Sequence, residues 1–266
     1  MISDPFVEFK KRQREGWAYF APIEAYTTPA AAHLVRFAGV RPGQTVLDVG
    51  TGTGVVAITA RRGGAVVTGL DLTPELLTRA RENAVLADVN DIVWQEGDAE
   101  NLPFANGAFD VVLSQFGHMF APRPDVATRE MLRVLKPGGR LAFATWPPEH
   151  FVGKMFGLIG TYIQAPPGVP SPADWGDPAV IRDRLGSGVR DIDFERGIMM
   201  FPALSPQHYR NFIEKTAGPV IGLVQNLQSD RTKLGTFRME LEALVAQYMI
   251  DNTVPQEYLL TRAIKL

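Results

Sequence analysis

The stretch VLDVGTGTGVV, residues 46–56, decides how the rest of the chain is read. Residues 45–49 form a short apolar run suited to a buried strand, and Gly50, Gly52 and Gly54 follow before a helical pattern opens at Val55. A glycine-rich turn from strand to helix offers backbone N–H groups and a helix N-terminus, which both favour negative charge. Asp48, directly ahead of the turn, would repel a pyrophosphate there. Read from Gly52, the run Gly52-Thr53-Gly54-Val55-Val56-Ala57 also satisfies a dinucleotide pattern, so the glycines alone do not discriminate. The sign of the charge does. A carboxylate beside this loop suits a ligand carrying an ammonium, an attraction of about 1–3 kcal/mol in a partly buried crevice.

Outward from this stretch the chain alternates. Strands are expected at 45–49, 66–70, 92–95, 109–113 and 141–145, with helices at 55–62, 74–87 and 125–135 between them. Two helices, 6–20 and 29–38, precede the first strand, the second with Pro29 in its first turn. This rhythm predicts a parallel sheet covered on both faces, an α/β doubly wound fold. After Trp146 the rhythm breaks. Residues 164–178 are rich in proline and glycine, residues 189–201 form a long strand, helices follow at 205–217 and 232–248, and a last strand covers 257–265. Residues 1–146 are expected to hold cover helices and the binding core, and residues 147–266 the remaining strands with a helical insertion, in one structural domain.

Each strand of the first half delivers polar groups at its carboxyl end, where ligands bind in such sheets. Strand one gives Asp48 and the glycines, strand two Asp71 followed by Leu72, strand three Asp98 and Ala99, and strand four Ser114 and Gln115. An ionised Asp71 can accept from both hydroxyls of a ribose, as also happens in nicotinamide enzymes. Asp98 can accept from the exocyclic amine of adenine while the Ala99 N–H donates to a ring nitrogen. An ammonium, a ribose and an adenine without phosphate describe S-adenosylmethionine.

The runs VLDVGTGTG, VTGLDLTPELLTRAREN, EGDAENLPFANGAFDVVLS and EMLRVLKPGGRLAFATW together resemble the class I S-adenosylmethionine-dependent methyltransferases, nearest the bacterial group around the ubiquinone/menaquinone C-methyltransferases. The resemblance implies a Rossmann-like seven-stranded sheet with its last strand antiparallel. It implies that Asp48 with Gly50, Thr51, Gly52 and Gly54 holds the methionine part of the cofactor, Asp71 and Leu72 the ribose, and Asp98 and Ala99 the adenine. Ser114 and Gln115 would meet the amino-acid side, and Trp17 and Tyr26 would belong to a segment covering the cofactor. His118, just past strand four, is the best-placed candidate for a general base, against a packed position among Phe116, Met119 and Phe120.

A minimal relative would join its last two strands tightly, whereas residues 202–256 intervene here. Residues 164–248 are therefore expected to form a substrate lid, with Trp175 its most suggestive residue, and Met199, Met200 and Phe201 to belong to a core strand. The expected reaction is methyl transfer to a small apolar or aromatic molecule through O, N or C, leaving S-adenosylhomocysteine. The alternatives are a nicotinamide-dependent oxidoreductase and a non-catalytic cofactor-binding module.

Composition narrows the field further. The net charge of −2 gives no basic field for nucleic acid. The basic run Lys10-Lys11-Arg12 reads as a solvated helix face. No cysteine is present, which excludes thiolate chemistry, and the four histidines lack ligand spacing, so no metal is expected. No apolar run suggests a membrane span and no leader is visible, so a cytoplasmic protein is expected. The oligomeric state is not legible.

Overall fold

The structure is a computed structural model and describes residues 4–266. Seven strands form one sheet: β1 (Thr45–Val49), β2 (Val66–Asp71), β3 (Val93–Glu96), β4 (Phe109–Gln115), β5 (Leu135–Thr145), β6 (Val189–Pro202) and β7 (Thr253–Lys265). Their order is β3-β2-β1-β4-β5-β7-β6. The first five run parallel, while β7 is antiparallel to both β5 and β6. Chain order reverses between β1 and β4, which opens a crevice at their carboxyl ends. Asp48 faces it from β1, between Gly69 of β2 and Leu113 of β4.

The helices are α1 (Val7–Trp17), α2 (Glu24–Ala38), α3 (Val55–Arg62), α4 (Pro74–Leu86), α5 (Pro124–Val134), α6 (Phe151–Tyr162), α7 (Pro178–Leu185), α8 (Pro206–Thr216), α9 (Gly218–Asn226) and α10 (Arg231–Tyr248). Helices α3, α4 and α5 bury small and aliphatic residues spaced for one face, such as Val56, Ala57 and Ala60, against the sheet. The central strands are apolar on both sides because both faces are covered, and Val46, Leu47, Val111 and Val112 are fully buried. Among the described residues no helix is long and apolar enough to cross a membrane.

Several elements differ from their expected limits. Helix α2 starts at Glu24, so Pro29 lies inside it. The proline forfeits one backbone bond and leaves its helix intact, because Thr27, Ala30, Ala31 and Leu34 are buried along it. Helices α6 and α9 were not anticipated. Their sequences, FVGKMFGLIGTY and GPVIGLVQN, carry glycines and a proline that read as breaks. In α9 the proline stands in the first turn, where its missing N–H costs nothing. Helix α7 begins where the proline-rich stretch ends, with the Asp177 side chain accepting from the Ala179 N–H at 2.8 Å. Strand β7 begins at Thr253 and pairs with β6 as far as Pro202, so the insertion holds α8, α9 and α10.

Two glycines packed against the segment that leaves β5, Gly153 in α6 and Gly176 just before α7, explain the tight entry into this second half. A Cβ on Gly153 or Gly176 would collide with the backbone of Trp146, Pro147 and Pro148, which lies between them. Gly157, also in α6, has nothing within 4 Å of that position. Gly176→Ala should therefore destabilise the protein by at least ~1–3 kcal/mol. Gly157→Ala should stabilise it by up to about 1 kcal/mol through helix propensity. Urea unfolding of the two variants checks both signs.

Candidate active site

The loops after β1 and β4 meet backbone to backbone. A methyl group on Gly50 would lie 2.8 Å from the Gly117 Cα, and one on Gly117 2.8 Å from the Gly50 Cα. Beneath them Ser114 Oγ donates to the Val49 carbonyl (2.6 Å) and accepts from the His118 N–H (3.1 Å). Gly52, at φ +54°, has open space where a Cβ would stand and lines a large cavity. Gly54 does not line it. A Cβ there would strike the Trp94 ring at 2.7 Å, so this glycine lets α3 start against β3 and α4.

Two buried carboxylates face the cavity. Asp48 Oδ2 accepts from Thr51 Oγ1 (2.5 Å) and the Ala57 N–H (3.2 Å), while Oδ1 has no partner. Burial pushes its carboxyl up to about 7, against the two hydrogen bonds and with help from the neighbouring Asp71. Asp71 accepts from the Gly52 N–H through Oδ2 (2.7 Å) and the Thr73 N–H through Oδ1 (2.8 Å). Burial raises it as well, against those bonds. An orphaned carboxylate oxygen fits an ammonium, and the lone pairs left on Asp71 fit a pair of hydroxyls. Leu72, Thr51 and Ala99 also line the cavity, and the Ala99 N–H has no acceptor among the described residues.

Asp98 lines the cavity but is not free. Its Oδ1 accepts from the Glu100 N–H (2.9 Å) and its Oδ2 from Lys10 Nζ (2.6 Å). Lys10 is 7% exposed and also pairs with Asp4 (2.7 Å) and Glu100 (2.6 Å). Arg123 completes the cluster on Glu100. The expected solvated face thus contains a buried ammonium. Burial opposes its charge, yet the three carboxylates hold its pKa above the usual lysine value. Asp4, Asp98 and Glu100 stand close enough together to ligate a cation, and Lys10 takes that place. Its legible signal was spacing: Lys10, Gln13 and Trp17 share one face of α1, and all three line the cavity.

The other expected residues divide. Gln115 lines the cavity, its Nε2 donating to the Thr27 carbonyl (2.9 Å) and its Oε1 unpartnered. Trp17 lines it too, packed edge-on to Phe120 at 4.7 Å. Tyr26 does not; its ring lies against Phe201 (4.3 Å) and Phe212 (5.9 Å). Ser114 is fully buried below the crevice and outside the lining. His118 is 1% exposed, wedged between Phe143 (4.7 Å) and Trp175 (4.6 Å), and neither ring nitrogen has a partner. Burial, aided by the Arg184 charge, pushes it down to about 3, so it stays neutral, and the cavity does not reach it. Trp175, 1% exposed beside Phe143, is a core residue and not the lid tip expected of it.

The wall opposite the strand ends draws mostly on the span 164–248 expected to face the substrate, with α6 as an unforeseen addition. Met199 and Phe201 of β6 point into the cavity, while Met200 between them is 49% exposed. Val152, Met155 and Phe156 come from α6, Tyr209 and Ile213 from α8, and Pro219 and Val220 from α9. Phe116 holds a left-handed backbone (φ +60°) and stacks on Trp146 with centroids 3.9 Å apart.

A family model described as a methyltransferase domain matches residues 47–143. The uncharacterized protein Rv1403c of Mycobacterium tuberculosis is 36% identical over 257 residues, 95% of this chain and 93% of its own. The ubiquinone/menaquinone biosynthesis C-methyltransferase UbiE of Cereibacter sphaeroides is 44% identical over 104 residues, 38% of this chain and 42% of that one. Among solved structures, phosphoethanolamine N-methyltransferase 2 of Haemonchus contortus, in complex with S-adenosyl-L-methionine, aligns with a TM-score of 0.57 at 21% identity. That alignment covers 89% of this chain and 52% of the other. The chain and Rv1403c are thus members of one family, residues 47–143 form a methyltransferase domain, and the fold is shared with an S-adenosylmethionine-dependent methyltransferase.

Two expectations follow for the cofactor end. Asp71→Ala should weaken S-adenosylhomocysteine binding by ~1.5–3 kcal/mol with the fold retained, measured by calorimetry. Asp48 must be ionised to hold an ammonium, and its raised pKa means that binding first has to remove a proton. Affinity should therefore rise with pH through about 7 and level off above it. Asp48→Asn should bind more weakly and show no such rise.

Proposed function

We propose that this enzyme binds S-adenosylmethionine and transfers its methyl group to a small, uncharged, apolar or aromatic acceptor. The observation that carries this reading is the distribution of charge in the cavity. Its charged lining residues are Lys10, Asp48, Asp71 and Asp98, on α1 and at the ends of β1, β2 and β3. The remainder, from Trp17 and Phe20 through Met155 and Phe156 to Ile213 and Val220, carries no ionisable group except the Tyr209 hydroxyl. A phosphate or carboxylate on the acceptor would be desolvated there without a partner.

In this reading Asp48 and the loop of Gly50, Thr51 and Gly52 hold the amino-acid end, with the Gln115 side. Asp71 and Leu72 hold the ribose, Asp98 and Ala99 the adenine, and Trp17 closes over them. The bound cofactor supplies an electrophilic methyl group on a sulfonium. The apolar walls then align the acceptor atom and exclude water, which provides most of what such a transfer needs from a protein. His118 is left out as a base. An oxygen or nitrogen acceptor would have to lose its proton to solvent or arrive already nucleophilic.

A screen of small-molecule extracts with labelled cofactor, reading product mass, tests this. The expected product is a neutral, chloroform-extractable molecule heavier by one methyl group. Label found only in zwitterionic or phosphorylated products, or only in macromolecules, would remove the reading. Titration with NAD in place of S-adenosylhomocysteine should show no binding.

A further inference from the structure

One polar pair interrupts the apolar wall. Tyr209 of α8 is 2% exposed and Gln256 of β7 is 6% exposed; both line the cavity, and Gln256 Nε2 donates to Tyr209 Oη at 2.9 Å. Aromatic contacts with Phe151 (5.4 Å) and Phe201 (4.9 Å) fix the tyrosine ring, and Met199 pairs with Gln256 across the strands. Beyond that single bond, the Tyr209 O–H hydrogen and Gln256 Oε1 make no further hydrogen bond among the described residues. If the amide is turned over, the tyrosine donates to the amide oxygen, leaving the NH₂ and a phenol lone pair unused. Either way the pair shows the cavity one donor and one acceptor. Leaving both unmet in a desolvated wall is costly, and a ligand that meets them recovers that cost.

The nearby charges do not compete. Arg210, next in the chain, turns outward into ion pairs with Glu214 (3.0 Å) and Glu242 (2.6 Å). Burial pushes the Tyr209 phenol well above its usual value, so it remains a neutral donor.

We infer that Tyr209 and Gln256 form a specificity subsite for a neutral hydroxyl or carbonyl group on the methyl acceptor. The inference rests on the apolar-acceptor reading above and narrows it to uncharged molecules carrying such a group at the end engaged by α8 and β7.

The test is equilibrium dialysis of the full chain, saturated with S-adenosylhomocysteine, against naphthalene, 2-naphthol and 2-naphthoate. In the unmodified protein 2-naphthol should bind about five- to ten-fold more tightly than naphthalene, and 2-naphthoate more weakly than either. In Tyr209→Phe and in Gln256→Met the naphthol advantage should fall to about two-fold or less. Naphthalene and S-adenosylhomocysteine affinities should hold. The two variants lie on different elements, so either one that folds decides. An advantage that survives in either folded variant, or naphthoate binding as well as naphthol, overturns the subsite while leaving the apolar reading intact. Failure of the unmodified protein to retain naphthalene and naphthol, with S-adenosylhomocysteine still bound, overturns both.

Discussion

The crevice depends on one close approach, that of the Gly50 and Gly117 backbones. Neither position tolerates a Cβ without displacing the other loop, and Ser114 ties the two strand ends together from below. With the loops touching, the N–H groups of the first turn are aimed at Asp71 and Asp48 and not at solvent. The two carboxylates are buried close enough for Asp71 to raise the Asp48 pKa, which a folded chain sustains only where hydrogen bonds or a ligand charge compensate. A buried carboxylate oxygen without a partner is thus built into the strand ends before any other part of the cavity contributes.

That part was legible in the sequence because it follows from chain order. In a parallel sheet the residue after each strand must stand at the same edge, so Asp48, Asp71, Asp98 and Gln115 could be placed together without knowing one side-chain contact. The seven strands and their antiparallel last member were implied by the family resemblance and not by chain order. What sequence could not give was which way a side chain turns. His118 and Ser114 sit beside residues that line the cavity, yet the chain rotates both beneath the floor. Trp175 lies in a proline-rich stretch that reads as surface, yet Arg184 and His118 pack on its ring. Helices α6 and α9 were hidden by glycines whose purpose is close packing: Gly153 against Pro147 and Pro148, and Gly218 against Gly16 and Trp17.

The two ends of the cavity obey different physics. At the strand ends, polar groups of fixed geometry come from loops anchored in the sheet. Opposite them, the walls come from α1, α6, α8, α9 and β6, elements far apart in the chain that contribute mainly area. In the function proposed above, the cofactor meets the first set and the acceptor the second. Residues outside the stretch matched by the methyltransferase domain build most of the second. Substitutions in those helices can change the shape of the acceptor space while the strand-end carboxylates keep their bonds.

Helix α1 has a further consequence, for the order in which the chain assembles. It is made before the elements it packs on, and apart from Asp4 and Phe20 its side chains find their partners far along the chain. Lys10 waits for Asp98 and Glu100, 88 and 90 residues later, and Gly16 for the backbone of Gly218, 3.3 Å from its Cβ position. Such distant contacts form only after the loop-closure entropy has been overcome, so a helix made before its partners is among the last to be placed. Its lysine, with Asp4 beside it, enters a site where Asp98 and Glu100 already stand together with Arg123 on Glu100, and its ammonium meets both carboxylates. The ammonium acts as a closing clasp, and a nascent chain without it carries an open, negatively charged seam.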